Sequence, residues 1–389
     1  MTTTSLAPAA VNRDWLDTAA FAALLAFVGA AQLSIAVAGI LLTVVLVAWA
    51  AHQIVNREPF EAPPIFWPLV AYAAATLIST AFSLQPLTSL VDSRQLVLFL
   101  IVPAVYQVAR GDRAHLVITV LLTVGAISAI VGVVQYGIFE YDDLGRRPQG
   151  ALTHYMTYSG TLMLVVGAVA ARLLYSPRDR VWSALVMPAL LVALALTFTR
   201  SAWVGACAAL GVLFVLRDRR LLAVVPVLAA LFIALAPDGV TDRLYSVFDL
   251  NDPTNRDRVA MLRYGAAMVQ DDPLTGVGPD MVREVYPDYR DEMAVQPINP
   301  HLHNVPMQIA AERGLPALAM WLWFVIVVAR DMLVRVTRER APALAAAALA
   351  AVVSMLTAGM FEYNFGDSEF LMLFLVLVTL PYAAEAEPS

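Results

Sequence analysis

Long apolar runs constrain this chain more than any other feature of its sequence. About twelve of them lie between residues 15 and 383, and most approach the roughly 20 residues that a helix needs to cross hydrocarbon. Charged residues make up 14% of the sequence, against about 25% in soluble domains. Because a backbone in lipid must satisfy its own hydrogen bonds, the sequence predicts an all-α polytopic membrane protein with about 12 transmembrane helices.

The apolar runs divide the chain into three predicted parts. Residues 1–236 hold spans one to nine, residues 237–314 form a large hydrophilic loop, and residues 315–389 hold spans ten to twelve. The predicted spans are 15–31, 33–54, 66–83, 96–109, 115–139, 155–175, 181–198, 201–216, 220–236, 315–334, 342–361 and 369–383. The first run has the length of a signal peptide, but a second apolar run follows at once, so we expect it to be retained.

The arginines predict the orientation of the chain. There is no lysine, and the short loops on one side are rich in arginine, for example Arg110, Arg113 and Arg340. With Arg13, the positive-inside rule places these loops and both termini in the cytoplasm. The large loop then lies outside, together with the segments 140–154, 197–203 and 361–369.

Several arginines on the predicted outer side break this rule and suggest an anion-binding site. Arg200 lies between two apolar runs, where an ionisable side chain is costly and indicates function, although it could also extend to the interface. Guanidinium groups suit diphosphate oxygens because they donate paired hydrogen bonds. Arg147, and Arg256 or Arg263 on a predicted helix over 256–270, are the other candidates. On that helix Val259, Leu262, Ala266 and Val269 share the predicted apolar face.

His303 is the candidate general base, because an unperturbed histidine titrates near neutral pH. Asn304 follows it and His301 precedes it by two residues, so we expect both to orient or support the imidazole. The alternative is a structural histidine that caps a helix. A His-x-His zinc site is disfavoured because no cysteine or third histidine lies nearby in the sequence, and we predict no metal.

Two absences narrow the chemistry. No P-loop motif is present, which argues against a P-loop ATPase. The predicted loop at residues 29–34 has no acidic residue, whereas many multi-span lipid-sugar transferases place a catalytic aspartate there. A transferase of this kind would therefore need its base elsewhere, which favours His303.

Four motifs together resemble the O-antigen ligase and polymerase superfamily. His303-Asn304 with Gly314 after nine intervening residues resembles the ligase signature, and Pro273-Leu274-Thr275-Gly276-Val277-Gly278 resembles the P-x-x-G-x-G segment of the superfamily. Thr197-Phe198-Thr199-Arg200-Ser201-Ala202-Trp203 is similar to its T-x-S-R-x-x-W turn, with Thr199 in place of serine. Arg147-Pro148-Gln149-Gly150 with His154 resembles a further loop motif.

The resemblance implies a GT-C-like membrane glycosyltransferase, with an O-antigen ligase as the leading expectation. It would move a glycan from undecaprenyl diphosphate to a hydroxyl of lipid A-core, on the periplasmic face of the bacterial inner membrane. No cofactor, metal or nucleic acid would take part. His303 would activate the acceptor, with Asn304, His301 and Gly314 in support, while Arg200, Arg256, Arg263 and Arg147 would hold the diphosphate. In-line displacement would invert the anomeric carbon.

Other functions stay open at this point. A polymerase of O-antigen or exopolysaccharide repeats, or a protein O-oligosaccharyltransferase, would share the fold and the donor. A small-anion transporter would use the same arginines differently. Matched pairs of broken helices would favour transport, and the sequence has no such pairing. A loop of this length is more typical of an enzyme outside the cytoplasm.

Overall fold

The computed structural model describes residues 14–386 except 247–248, 250–251, 293 and 339–342. Arg13, Phe248 and Arg340 therefore lie outside the described residues. Every regular element in the described ranges is helical. The helices are α1 (Asp14–Ala30), α2 (Ile35–Asn56), α3 (Phe66–Ala81), α4 (Pro86–Ser93), α5 (Ile101–Val108), α6 (Asp112–Gly137), α7 (Tyr155–Tyr175), α8 (Arg180–Leu196), α9 (Arg200–Arg217), α10 (Val225–Leu235), α11 (Asp238–Tyr245), α12 (Pro253–Asp271), α13 (Val282–Tyr289), α14 (Val305–Arg338), α15 (Ala343–Ala358) and α16 (Ser368–Glu385).

The predicted class is confirmed, because each predicted span overlaps a helix among the described residues. Eight of the described helical stretches are long and apolar enough to cross a membrane, and three apolar helices, at 15–30, 66–81 and 343–358, are shorter. The exact number of spans therefore stays a prediction.

The bundle is organised around buried central helices. α7 and α16 are buried along nearly their whole length, and they pack against α15. Outward-facing side chains of the peripheral helices are also apolar, for example Ile40 and Ile54 on α2 and Val181 and Leu185 on α8. A surface of this kind fits hydrocarbon, since large apolar patches are rare on soluble monomers.

The large loop has a small core of its own. Ala260, Met261, Tyr264 and Met268 on α12 pack against Tyr286 on α13 and its neighbours. The apolar face predicted for this helix was wrong, because Val259 and Leu262 are exposed. The helix begins at Pro253, three residues earlier than predicted, and the Asp252 carboxylate caps it by accepting hydrogen bonds from the backbone N–H groups of Thr254 and Asn255.

Two of the sequence motifs dock directly on each other. The backbone N–H groups of Val277 and Gly278 donate to the carbonyls of Ala311 and Glu312, each at 2.9 Å, and Leu315 donates to the carbonyl of Pro273 at 2.8 Å. Gly314 interrupts α14 with φ 77° and ψ 170°, a conformation that is essentially confined to glycine. A Cβ there would also collide with the carbonyl of Leu274. The helix of the predicted tenth span thus begins at Val305 and bends at Gly314.

Candidate active site

His303 and Glu362 form the centre of the candidate site. Nδ1 of His303 lies 3.1 Å from each carboxylate oxygen of Glu362, which belongs to the turn between α15 and α16. The backbone of His303 has φ +48°, a left-handed conformation that is uncommon for residues other than glycine. Such conformations cluster at functional sites because the surrounding structure must hold them. The carboxylate thus pairs with Nδ1, and Nε2 is the ring nitrogen that does not contact it.

Asn304 fixes the backbone beside the histidine. Its side-chain oxygen accepts a hydrogen bond from the N–H of Met307 at 2.9 Å, which caps the start of α14. Its amide nitrogen donates to the carbonyl of Met360 at 3.1 Å, two residues before Glu362. Asn304 therefore ties the histidine segment to the turn that carries the carboxylate.

His301 shares the same carboxylate. Its Nε2 lies 3.3 Å from Oε1 of Glu362, and its ring centroid is 4.3 Å from that of His303. Burial would raise the pKa of Glu362, but the hydrogen bonds from His301 and His303 outweigh burial and hold this pKa well below its usual range. Glu362 is therefore ionised at physiological pH and can orient both imidazoles.

Arg200 is buried and hydrogen-bonded to Ser246, which follows α11, and to residues at the start of α12. It donates to the carbonyl and hydroxyl oxygens of Ser246 at 2.7 and 2.9 Å, and to side-chain oxygens of Asp252 and Asn255 at 3.2 Å. Arg243 approaches the same Asp252 carboxylate at 3.7 Å. Arg200 thus links Ser246 to the start of α12, and Asp252 already neutralises part of its charge.

Three further arginines lie within electrostatic reach of Arg200. Burial and repulsion from Arg200 and Arg147 lower the pKa of Arg243 to about 10. Burial also lowers the pKa of Arg147 and of Arg258, and repulsion from Arg200 adds to both effects. Nε of Arg243 and Nε of Arg258 are buried without a hydrogen-bond partner among the described residues. Guanidinium groups that repel one another and have unused donors suit an anion. Arg147, Arg200, Arg243 and Arg258 are therefore a candidate anion site, which we call the arginine cluster.

The arginine cluster lies next to His301 and His303, which we call the histidine pair. Arg258 interacts electrostatically with Glu362, with Arg200 and with Tyr155, and the guanidinium of Arg147 lies 4.2 Å from the centroid of the Tyr155 ring. The four segments predicted to lie outside therefore meet at one end of the bundle. At the other end, short arginine-bearing loops pair with neighbouring elements, as in the 2.6 Å contact of Arg113 with Asp17.

Two predicted diphosphate ligands lie elsewhere on α12. Arg256 is exposed, and Arg263 is also exposed and pairs with Asp291 at 3.6 Å. They share the outer face of the helix, as their spacing of seven residues predicts, whereas Arg258 lies on the face toward the arginine cluster. The structure thus brings together His301, His303, Asn304, Arg147 and Arg200 from the predicted set, with Gly314 at the bend of α14.

Sequence reasoning missed Glu362, Arg243 and Arg258 as site residues. Glu362 lies in a predicted outer turn that carries three acidic residues within eight positions, which was the available signal. Arg243 and Arg258 belong to the excess of arginine on the outer side. The position of Arg258 relative to His303 could not be read from the sequence, because it depends on which face of α12 the protein buries. Arg243 lies on α11, and its place depends on how that short helix packs.

These features define a class: a polytopic helical membrane protein with a histidine–carboxylate pair beside the arginine cluster. Residues 185–322 match the model of the O-antigen ligase family. The matched segment runs from α8 into α14 and includes Arg200, Arg243, Arg258, His301, His303 and Gly314. This similarity supports the predicted O-antigen ligase and polymerase superfamily. No curated protein matches the chain with significance.

Proposed function

We propose that the protein is an O-antigen ligase-like glycosyltransferase. It moves a glycan from undecaprenyl diphosphate to an acceptor hydroxyl of lipid A-core. The reaction takes place on the periplasmic side of the bacterial inner membrane, with both termini of the chain in the cytoplasm. The single observation that carries this proposal is the position of the His303–Glu362 pair beside the arginine cluster.

His303 supplies the general base. The Glu362 carboxylate holds the Nδ1–H of a neutral His303, so Nε2 carries the lone pair. Nε2 accepts the proton of the acceptor hydroxyl as its oxygen forms the new bond to the anomeric carbon. The bond from that carbon to the diphosphate oxygen breaks, and its electron pair stays on the departing lipid diphosphate. A single displacement of this kind inverts the anomeric carbon and needs neither metal nor nucleotide.

The arginine cluster stabilises the leaving group. Arg258 and Arg243 each have a buried Nε without a hydrogen-bond partner among the described residues. Their guanidinium groups supply positive charge for the diphosphate oxygens as the negative charge increases. Arg200 and Arg147 add further positive charge to the cluster. Loss of one preorganised donor of this kind costs about 10²–10³ in rate in other enzymes. In this proposal Arg258 and Arg243 replace Arg256 and Arg263 as diphosphate ligands, since the last two face outward.

The test uses the purified full-length chain in detergent with a lipid-linked glycan donor and lipid A-core, without added metal or nucleotide. Wild type is compared with His303→Ala and Arg258→Ala. His115→Ala is the control, because His115 is an exposed histidine on α6 and is distant from His303 in the sequence. We expect glycan on lipid A-core with wild type and the control, and its loss with the two site variants. Transfer by His303→Ala at the wild-type rate would contradict the proposal.

Two related functions would give different products. A polymerase would lengthen the lipid-linked glycan and leave lipid A-core unmodified, and a protein O-oligosaccharyltransferase would need a protein acceptor. The same assay separates them when it is run with each acceptor in turn. A folded wild-type protein that transfers glycan to none of them would favour the small-anion transporter, which the arginine cluster also suits.

A further inference from the structure

We propose that His301, His303 and Glu362 form a binding site for a transition-metal cation of the Zn²⁺ type, and that occupation of this site switches off the base. The proposal has two parts. The metal site depends only on the three side chains, whereas the inhibitory effect also rests on the proposed transferase function.

The three side chains already have the arrangement of a three-ligand site. Nδ1 of His303 and Nε2 of His301 lie 3.1 and 3.3 Å from Oε1 of Glu362. All the ligand atoms lie within 4.8 Å of one another. In a tetrahedral zinc site with bonds of about 2.0–2.1 Å, neighbouring ligand atoms are about 3.3 Å apart. Small side-chain rotations therefore suffice to place all three around one cation.

The chemistry of this set selects the cation. Two imidazoles and one carboxylate are the protein ligands of open zinc sites, where water fills the fourth position, and imidazole favours zinc over magnesium or calcium. The side chains of His301, His303 and Glu362 are 30%, 20% and 14% exposed, so a hydrated cation can reach them. The charge of Glu362 attracts a cation, while the nearby Arg258 opposes it. We therefore expect reversible binding that responds to metal concentration.

A bound metal would prevent His303 from accepting a proton, because it would change which ring nitrogen carries the hydrogen. A metal bound to Nδ1 requires the lone pair of that nitrogen, so a neutral imidazole must carry its proton on Nε2. Nε2 then has no lone pair with which to accept the proton of the acceptor hydroxyl. The cation would also occupy the carboxylate that orients the ring. Zinc would thus inhibit the transferase without contacting either substrate.

Cobalt provides a direct measurement, because tetrahedral Co²⁺ absorbs visible light and substitutes for zinc. The full-length protein is stripped with a chelator, titrated with CoCl₂ and then with ZnCl₂, which should displace the cobalt and abolish the bands. We expect one equivalent of cobalt in wild type and in the control His115→Ala. We expect the bands to disappear in His301→Ala and in Glu362→Gln. The affinity for zinc in these variants should fall by more than the roughly 10- to 100-fold that loss of a hydrogen-bond partner of a metal ligand costs.

Each result decides the proposal. Bands that are absent from wild type, or that persist in both His301→Ala and Glu362→Gln, would overturn the metal site. Folding of the variants is checked by gel filtration and thermal unfolding, and His301→Gln replaces His301→Ala if the alanine variant unfolds. The cobalt measurement is independent of activity, so it stands even if the chain transfers no glycan.

The inhibitory part has its own measurement. Each protein is assayed with zinc and normalised to its own rate in chelator. Wild type should be inhibited reversibly, and His301→Ala should need at least tenfold more zinc for the same fractional inhibition. Equal inhibition of both proteins would mean that zinc acts on the donor diphosphate or the acceptor, and would overturn this part alone.

Discussion

The carboxylate of Glu362 holds Nδ1 of His303 at 3.1 Å from both of its oxygens, although 59 residues separate them in the sequence. Oε1 of the same carboxylate also lies 3.3 Å from Nε2 of His301. One partly buried carboxylate therefore orients two imidazoles at the end of the bundle where the arginine cluster lies. This relationship explains why the left-handed backbone of His303 is tolerated, since the paired side chain and the Asn304 cap both hold it.

Replacing Glu362 by glutamine should reduce the turnover number by about 10²–10⁴, the range that a positioned acid–base group contributes. The amide lacks the negative charge, and its NH₂ group can donate to Nδ1 and so favour the wrong tautomer of His303. We expect KM for the lipid-linked donor to change little, because the arginine cluster is intact. Steady-state kinetics in the presence of a chelator measure both parameters.

Glu362→Asp serves as the conservative control in that experiment. It keeps the charge and should recover part of the lost turnover. A Glu362→Gln protein that turns over at the wild-type rate would show that the carboxylate has no part in orienting the base. A raised KM with unchanged turnover would assign Glu362 to donor binding instead.

Arg258→Ala should reduce kcat/KM for the donor by about 10²–10³, the cost of losing one preorganised charge-stabilising donor. Arg256→Ala, two residues earlier on the same helix, should stay within about threefold of wild type, because surface substitutions away from specific contacts usually have small effects. Arg258 interacts with Glu362 and Arg200, whereas Arg256 is exposed. The two variants measured side by side in the transfer assay test which face of α12 binds the diphosphate. A larger loss in Arg256→Ala than in Arg258→Ala would instead show that the outer face of α12, which the sequence suggested, binds the diphosphate.

The same contrast indicates what the sequence could and could not provide. The helical runs were predictable because hydropathy is a local property that needs no knowledge of packing. His303, Asn304 and Gly314 were found because they lie within twelve residues in a recognisable motif. Glu362 could not be assigned in this way, since only the packing of α15 and α16 against α14 brings its turn to the histidines. Arg258 was passed over because the buried face of α12 is set by Met261 and Tyr264 rather than by the apolar spacing of Val259 and Leu262.

Gly314→Ala should destabilise the protein and lower its activity. The backbone conformation of Gly314 costs a residue with a side chain about 1–3 kcal/mol, and the added Cβ would collide with the carbonyl of Leu274. The collision would push residues 273–278 away from α14 and loosen the bend below the histidine pair. Thermal unfolding in detergent, together with the transfer assay, measures both effects.

Gly211→Ala is the matched control for that substitution. Gly211 lies within α9, and a Cβ there meets no atom within 4 Å. Alanine has a higher helix propensity than glycine by about 0.8–1.0 kcal/mol, so this variant should be neutral or slightly more stable. A Gly314→Ala protein as stable as Gly211→Ala would mean that the contact between the two motifs does not hold the bend.

Asp252→Asn should make the arginine cluster a stronger anion site while it weakens the fold. Asparagine caps a helix as well as aspartate does, so the start of α12 is kept and only the charge opposite Arg200 and Arg243 is lost. If the carboxylate competes with the diphosphate for the arginines, its removal should lower KM for the lipid-linked donor. A gain of about 1.4 kcal/mol in binding free energy corresponds to a tenfold lower KM, which we take as the upper limit. A raised KM would instead mean that Asp252 is needed to position the arginines for the donor.

The loss of stability in Asp252→Asn should depend on pH in a defined direction. Burial would raise the pKa of Asp252, but the charges of Arg200 and Arg243 outweigh it and lower the pKa below its usual value. A carboxyl group with a depressed pKa in the folded state stabilises the protein fully above its unfolded pKa, about 3.9, and loses that contribution as the pH falls through the folded value. Wild type should therefore unfold at a higher temperature than Asp252→Asn at pH 7, and the difference should shrink below about pH 4. A difference that stays constant from pH 7 to pH 3 would assign it to packing rather than to the charge.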